Sequence, residues 1–390
     1  MRYIKWIYVL APILLLGCQQ DNSSDNLARA EKSLTQILDR YPAGRNNLFN
    51  EYYPYKHEDQ ATYLAETDSV KENRVAYLWP TSGMFSAVSA LLHATENEDY
   101  LSLLQQKILP GLENYFDATR SPACYQSYVS NDGHSDRFYD DNIWLAIDFC
   151  DLYRMTGDED YLKSSEQLWD FVMSGWDEKL GGGIYWCEQK KRSKNTCSNA
   201  PASVLALKLF EATNDSSYLK QGVEIYEWTQ GNLQDKSDFL YFDNIGLNGK
   251  VDRRKFTYNS GQMLQASALL YKHTNDKKYL IEAQNIAASA ISYFTKDFTT
   301  ESGQIIRLFK NTDNWFNAVL FRGYIELYLL DKNPEYLNIF QQNMNQIWTA
   351  ARDENGLFSK DWSGKNEDEY KWLLDQASLV EIWANLAATL

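Results

Sequence analysis

Thr95-Glu96-Asn97-Glu98-Asp99-Tyr100-Leu101 recurs as Thr156-Gly157-Asp158-Glu159-Asp160-Tyr161-Leu162 and as Thr213-Asn214-Asp215-Ser216-Ser217-Tyr218-Leu219. A fourth copy is Thr274-Asn275-Asp276-Lys277-Lys278-Tyr279-Leu280, and Asp331-Lys332-Asn333-Pro334-Glu335-Tyr336-Leu337 is a degenerate fifth. The tyrosines fall at 100, 161, 218, 279 and 336, so the steps are 61, 57, 61 and 57 residues. Each copy reads as a tight turn whose Asp or Asn caps a new helix, because a short side-chain oxygen accepts from the free N–H groups of the first turn. Before each turn lies an apolar run at helical spacing: residues 84–93, 143–155, 202–212, 263–273 and 318–330. A sixth run, 377–390, has no turn after it. These runs are apolar around most of their circumference, which marks buried inner helices. More amphipathic helices follow the turns, as at 161–173, 218–230 and 279–294, and a first outer helix is expected near 27–41. Six inner and six outer helices in alternation predict an all-α fold, an (α/α)6 barrel formed by residues 27–390 as a single domain. An open solenoid of helical pairs is the competing fold, but its repeats usually run about 33–47 residues.

The repeat also says where a site belongs. Inner-to-outer connections are short turns, whereas the outer-to-inner connections, roughly 174–199, 232–258, 296–315 and 352–375, are long. Long loops in a compact fold are commonly functional. These carry Trp176, Tyr185, Trp186, Tyr241, Trp315, Trp362 and Trp372, all at the end where inner helices begin. Helix starts bring positive partial charge and free N–H groups to the same mouth.

Composition narrows the partner. In 390 residues, 38 basic and 53 acidic side chains give a net charge of −15. Such a chain has no basic surface to release the counterions of a nucleic acid, nor an electrostatic hold on an anionic membrane. Aromatic residues make up 14% of it, with 12 Trp, 27 Tyr and 17 Phe, which suits surfaces that stack on flat or amphipathic ligands such as sugars. There is no C-x-x-C pair, and His57, His93, His134 and His273 are scattered, so no metal site and no cofactor are expected.

The second inner helix opens Asp136-Arg137-Phe138-Tyr139-Asp140-Asp141-Asn142-Ile143-Trp144. An Asp pair at a helix start can simply cap it and complement its dipole. Neighbours on a regular helix point about 100° apart, so both face one ligand only at the loop-to-helix junction. The pattern puts them there.

Tyr139-Asp140-Asp141-Asn142-x-Trp144 resembles the catalytic signature of glycoside hydrolase family 76, the endo-α-1,6-mannanases. Gly181-Gly182-Gly183-Ile184-Tyr185-Trp186, followed by Lys194-Asn195 and Ser198-Asn199, is similar to that family's Gly-rich loop and the helix start after it. Tyr258-Asn259-Ser260-Gly261 resembles its Tyr-Asn-x-Gly opening of the fourth inner helix. The likeness spans most of residues 27–390. Cys187 and Cys197 depart from the pattern, Cys197 standing where an apolar residue is expected.

What the resemblance implies is a retaining mechanism through a covalent glycosyl-enzyme, with Asp140 as nucleophile and Asp141 as general acid/base. The expected substrate is the α-1,6-linked backbone of mannan, such as that of fungal cell walls, as polysaccharide or oligosaccharide. The physics is compatible. Retention needs carboxyl groups about 5–5.5 Å apart. The helix N-terminus favours ionised Asp140, and its charge raises the proton affinity of Asp141, so the two titrate as a pair. Candidate substrate-binding residues are Tyr139, Asn142, Tyr185, Trp186, Asn199, Tyr258 and Asn259. Tyr185 and Trp186 either stack on mannose rings or pack in the core; Asn199 and Asn259 either bind hydroxyls or cap helices. Trp79 and Trp144 read as structural, 190–194 as a solvated basic loop or a contact for a phosphorylated glycan, and Asp132 and Asp136 as neighbours of the pair. The alternatives are an exo-acting or transglycosylating enzyme on α-mannosides, and a noncatalytic glycan-binding protein.

Arg2 and Lys5 precede an apolar run from Trp6 to Gly17, too short to span a bilayer and suited to a signal peptide. Its end, Leu15-Leu16-Gly17-Cys18, resembles the bacterial lipobox. The reading is a lipoprotein of Bacteroides type: signal peptide 1–17, lipidated Cys18, polar tether 18–26, and a monomeric body anchored in the outer membrane at the cell surface or periplasmic face. An ordinary secretory signal is the plainer alternative. Cys150 reads as a buried thiol, while Cys187 and Cys197, across a basic hairpin-like stretch, are candidates for a disulfide.

Overall fold

The computed structural model describes residues 13–56, 74–310 and 313–390, with side chains from Asn22 onward. Residues 1–12 of the expected signal segment and the Cys18 side chain lie outside the described residues.

The first outer helix, α1 (Ile13–Arg40), precedes the first inner helix, α2 (Leu78–Thr95). The next outer helix is broken: α3 (Glu98–Leu103) passes through a π turn at Leu104–Ile108 into α4 (Leu109–Leu112). Four more pairs follow with the inner member first: α5 (Tyr139–Thr156) and α6 (Glu159–Met173), α7 (Thr196–Thr213) and α8 (Ser216–Leu233), α9 (Thr257–Thr274) and α10 (Lys277–Phe294), α11 (Asn314–Asp331) and α12 (Glu335–Ala350). The last inner helix is α13 (Leu373–Thr389). Each inner helix packs on the next, and α13 packs back on α2, so the ring closes. This is the (α/α)6 barrel. The folded body begins a few residues before Leu27, because Ser23 Oγ donates to Ala387 O at 2.8 Å and buried Asn26 Nδ2 to Gln341 Oε1 at 2.6 Å. Ser23 and Asn26, within the polar stretch 18–26, thus dock on α13 and α12.

The first three residues of the repeated turn each have a structural task. Thr95, Thr156, Thr213 and Thr274 each donate Oγ1 to a carbonyl four residues back and accept from the N–H two residues on. The residue between turns left-handed: Glu96, Gly157, Asn214 and Asn275. Asn97, Asp158, Asp215 and Asp276 then cap the outer helices through side-chain oxygens. In the degenerate copy Asp331 replaces Thr and still accepts from the Asn333 N–H, with Lys332 left-handed.

The long connections carry short strands at the opposite end. Strand β1 (Tyr52–Tyr53) pairs with β9 (Lys371–Trp372), and β2 (Phe116–Asp117) with β3 (Cys124–Tyr125). Strands β4 (Ser193–Asn195), β5 (Phe242–Gly246) and β6 (Val251–Lys255) form a three-stranded antiparallel sheet, and β7 (Thr295–Thr299) pairs with β8 (Ile305–Phe309). Of these connections the sequence reads only the stretch between Cys187 and Cys197 as hairpin-like, and there Tyr185 bridges Lys194 antiparallel. The strands are two to five residues long, too short to leave a clear period-two signal in the sequence.

The barrel interior is not purely apolar. Arg322 on α11 pairs bidentately with Glu381 on α13 at 2.6 and 2.9 Å, and Ser86 Oγ on α2 donates to Asp148 Oδ2 on α5 at 2.6 Å. Burial raises the Asp148 carboxyl to about 7 despite the facing Arg322.

Candidate active site

One residue position builds most of the site. The second residues of the six inner helices are Trp79, Asp140, Cys197, Tyr258, Trp315 and Leu374. All except Leu374 line a cavity of about 350 Å³ at the mouth of the barrel. Their spacing follows the repeat, so the register that sets the turns also converges these side chains. Trp144, one helical turn below Asp140, meets Trp315 from the far side of the ring edge to face at 4.8 Å. The β4–β5–β6 sheet supplies a wall through Asn195, Asp243, Asn244 and Arg254.

Asp140 and Asp141 both face the cavity. Asp140 Oδ2 accepts from Trp186 Nε1 at 3.1 Å, and Oδ1 from the Asp141 N–H at 3.2 Å. Burial pushes the Asp140 carboxyl up to about 6, against hydrogen bonds from Cys197, Trp186 and the helix backbone that favour its charged form. Among the described residues the Asp141 carboxyl has no such donors. Burial and then the charge of Asp140 raise it well above the ordinary carboxylate range. Two adjacent carboxyl groups thus have separated proton affinities, one suited to carry charge and one to carry a proton.

A family model for glycosyl hydrolase family 76 matches residues 43–389. The chain belongs to glycosyl hydrolase family 76. Among solved family 76 structures, one from a bovine Bacteroides thetaiotaomicron strain is 33% identical, covering 93% of this chain and 77% of that one, with a TM-score of 0.83. A family 76 mannosidase from B. thetaiotaomicron is 30% identical over 93% of this chain and 98% of its own, at TM-score 0.84. An inactive α-1,6-mannanase variant from Salegentibacter sp. HEL1_6, with two consecutive aspartates replaced by asparagine, is bound to α-1,6-mannotriose. It is 25% identical to this chain, covers 94% of it and 100% of its own, and has a TM-score of 0.75. A putative mannan endo-1,6-alpha-mannosidase of Schizosaccharomyces pombe is 24% identical over 59% of this chain; the match spans 53% of that relative, about half its length.

The family 76 cavity receives only part of the expected residue set. Asp140, Asp141, Trp186 and Tyr258 line it. Tyr139 does not: as the first residue of α5 it is buried and stacks on Phe171 at 4.8 Å. Asn142 and Asn199 are buried loop anchors. Asn142 exchanges hydrogen bonds with the Tyr125 backbone at 2.8 and 2.9 Å, and Asn199 with that of Ile184 at 2.7 and 2.8 Å. Asn259 is fully buried off the cavity wall. It is not the counterpart of Asn199; register puts Ser260 there, whose Oγ accepts from the Tyr241 N–H. Tyr185 is buried too, and its hydroxyl donates to Asp177 at 2.8 Å. Of the two aromatics, Trp186 lines the cavity and Tyr185 does not.

Other expectations need correction. Cys187 and Cys197 are free thiols. Cys187 packs against Phe138 and Trp186, while Cys197 faces the cavity from α7, so their side chains serve different surroundings. Lys194 is not part of a solvated loop: it is buried, and its ammonium donates to Asp177 Oδ1 at 2.7 Å and Lys179 O at 2.7 Å. This braces the glycine loop, where Gly183 has φ +91° and a Cβ would fall 2.6 Å from the Trp228 ring. Trp79 and Trp144, read as structural, line the cavity. Of the loop aromatics, Trp362 and Trp372 instead bond to Asn314 at 2.7 Å and Glu51 at 3.0 Å. Asp132 and Asp136 do not reach the cavity; Asp136 sits 3.9 Å from Lys190.

Sequence reasoning missed Asp243, Arg254, Phe256 and Phe316, all on the cavity. Asp243 pairs with Arg254 at 3.2 Å, and burial raises its carboxyl. Counting the repeat register onward from Asp140 would have found Cys197 and Trp315. The hairpin residues have no such signal.

Proposed function

We propose that this family 76 enzyme is a retaining endo-α-1,6-mannanase acting on the backbone of mannan such as that of fungal cell walls, with Asp140 as nucleophile and Asp141 as general acid/base. The observation that carries the reading is the split environment of the two consecutive carboxyl groups: Asp140 accepts from Trp186 Nε1 and the Asp141 N–H, while among the described residues the Asp141 carboxyl has no such donor.

Asp141 gives its proton to the glycosidic oxygen as the bond to the anomeric carbon breaks, while an Asp140 oxygen attacks that carbon from the opposite face. The leaving chain departs with the proton. The developing oxocarbenium charge is stabilised by the carboxylate. Esterification removes the negative charge of Asp140, so the main electrostatic reason for Asp141 to stay protonated vanishes. Asp141 then takes a proton from water, whose oxygen attacks the anomeric carbon as its bond to Asp140 breaks, which releases the sugar and regenerates the Asp140 carboxylate. Trp186, held by its bond to Asp140, and Tyr258 supply aromatic faces beside the reacting ring. The relative inactivated at two consecutive aspartates and bound to mannotriose supports this assignment.

The same reading places the enzyme as a monomer anchored through lipidated Cys18 to the outer membrane. The lipobox-like Leu15-Leu16-Gly17-Cys18 supports that placement. The test of function is a time course on linear α-1,6-mannan followed by chromatography. A ladder of intermediate oligosaccharides is expected. Mannose alone from the first time point would replace endo with exo action, and binding without products would reduce the protein to a glycan binder.

A further inference from the structure

Where the chain enters the barrel fixes which end an anchor at Cys18 can reach. Helix α1 runs antiparallel to α13. Ser23 Oγ donates to Ala387 O at 2.8 Å in the last turn of α13, and Tyr41 Oη donates to Lys371 O at 2.9 Å just before its first turn. Inner helices start at the cavity and end at the repeated turns, so Ser23 lies at the turn end and Tyr41 at the mouth end. The stretch from Ser23 to Tyr41 is almost wholly α1 and rises about 27 Å. Cys18 precedes Ser23 by five residues, which span at most about 18 Å when fully extended. A lipid on Cys18 therefore does not reach the level of the mouth.

We infer that the end of the barrel bearing the repeated turns is its bilayer-facing surface, and that the cavity mouth is held facing away from the membrane. This rests on the reading of Cys18 as the lipidated residue. A barrel set mouth-down would put the bilayer beyond Tyr41, farther from Ser23 than the five-residue tether extends. The bilayer-facing surface is made by residues 96–99, 157–160, 214–217, 275–278 and 332–335, which carry nine acidic and three basic side chains, all of them exposed. Anionic headgroups repel such a face, so the acyl chains and not surface charge hold the barrel at the membrane. With the mouth turned outward, a mannan chain reaches Asp140 and Asp141 from the aqueous side.

The test measures distance to lipid at the two ends of the barrel. The full chain is made in a Gram-negative host, purified in detergent and reconstituted into vesicles of phosphatidylethanolamine and phosphatidylglycerol. The four cysteines downstream of Cys18 are buried, so one introduced surface cysteine takes a dye: Ser216→Cys on the turn after α7, or Lys191→Cys beside the mouth. Energy transfer to a lipid carrying an acceptor on its headgroup should be several-fold more efficient from Ser216→Cys. A flexible Gly/Ser insert of about 30 residues between Asp21 and Asn22 adds a reach of about 30 Å, and should remove most of that difference. Equal transfer from both positions, or greater transfer from Lys191→Cys, in acylated protein overturns the orientation and leaves the anchor standing. A difference that survives the long insert overturns tether length as its cause. Protein without acyl chains by intact mass, which does not float with the vesicles, overturns the lipidated-Cys18 reading and this inference with it.

Discussion

Trp186 Nε1 lies 3.1 Å from Asp140 Oδ2, so one residue both holds a cavity carboxyl group and lines the cavity with its own ring. The two roles can be separated. Trp186→Phe keeps a ring and removes the N–H. A hydrogen bond to a charged group contributes about 1.5–3 kcal/mol, so kcat/KM should fall roughly ten- to a hundred-fold. Asp140 should also titrate at higher pH. A rate loss with an unmoved acid limb would assign Trp186 to sugar stacking alone.

The two aspartates should respond differently to the leaving group. Asp140→Ala is expected to be inactive on every substrate, because no nucleophile remains. Asp141→Ala should be inactive on mannan yet form the glycosyl-enzyme from an aryl α-mannoside whose phenol leaves without protonation. Equal loss for both variants on the aryl substrate would remove the distinction of roles.

Activity should be bell-shaped in pH. Asp140 must be ionised, so the rate falls as pH drops through about 6, the value to which its surroundings bring it. Asp141 must be protonated, so the rate falls again at higher pH, where its raised affinity is overcome. Initial rates across pH 4–9 check this. Because the pair is coupled, the limbs belong to the site as a whole. A rate that keeps rising down to pH 4 would contradict an ionised nucleophile.

Asn199→Ala should cost stability rather than affinity. It leaves the buried Ile184 N–H and C=O without their partner, at about 1–3 kcal/mol per unsatisfied group. Denaturant unfolding should report that loss, with KM for α-1,6-mannotriose nearly unchanged. A tenfold rise in KM at full stability would return Asn199 to the sugar site.

Asp148 should make the fold less stable as pH rises. Its folded value of about 7 lies above the unfolded value near 3.9, so the folded state binds more protons between them. That contribution is intact below the unfolded value and is lost as pH climbs through 7. Asp148→Asn, which cannot ionise, should show a smaller drop in melting temperature from pH 5 to 8. An identical drop in both proteins would exclude Asp148 as the cause.

The fold was legible because its determinants are local and repeated. Thr, a left-handed residue, a capping Asp or Asn and an anchoring Tyr recur in fixed order, and each makes contacts within its own turn or with the next helix. Asp140 and Asp141 were legible for the same reason, as a charged pair at an inner-helix start. Tyr139, Asn142 and Asn199 misled because a residue one or two positions from a cavity-lining one turns to a different face of the helix. Tyr139 faces Phe171, and the two asparagines pin loops. Asp243 and Arg254 were hidden because a five-residue hairpin strand has no periodicity of its own, and its approach to the cavity is set by pairing with β4.

The most direct test of the central claim is the anomeric configuration of the first reducing ends released from linear α-1,6-mannan, read by proton NMR before mutarotation. The account predicts that the α-anomer appears first and the β-anomer grows in afterwards, as a double displacement through Asp140 requires. The β-anomer appearing first would show single displacement by water and remove Asp140 as a covalent nucleophile.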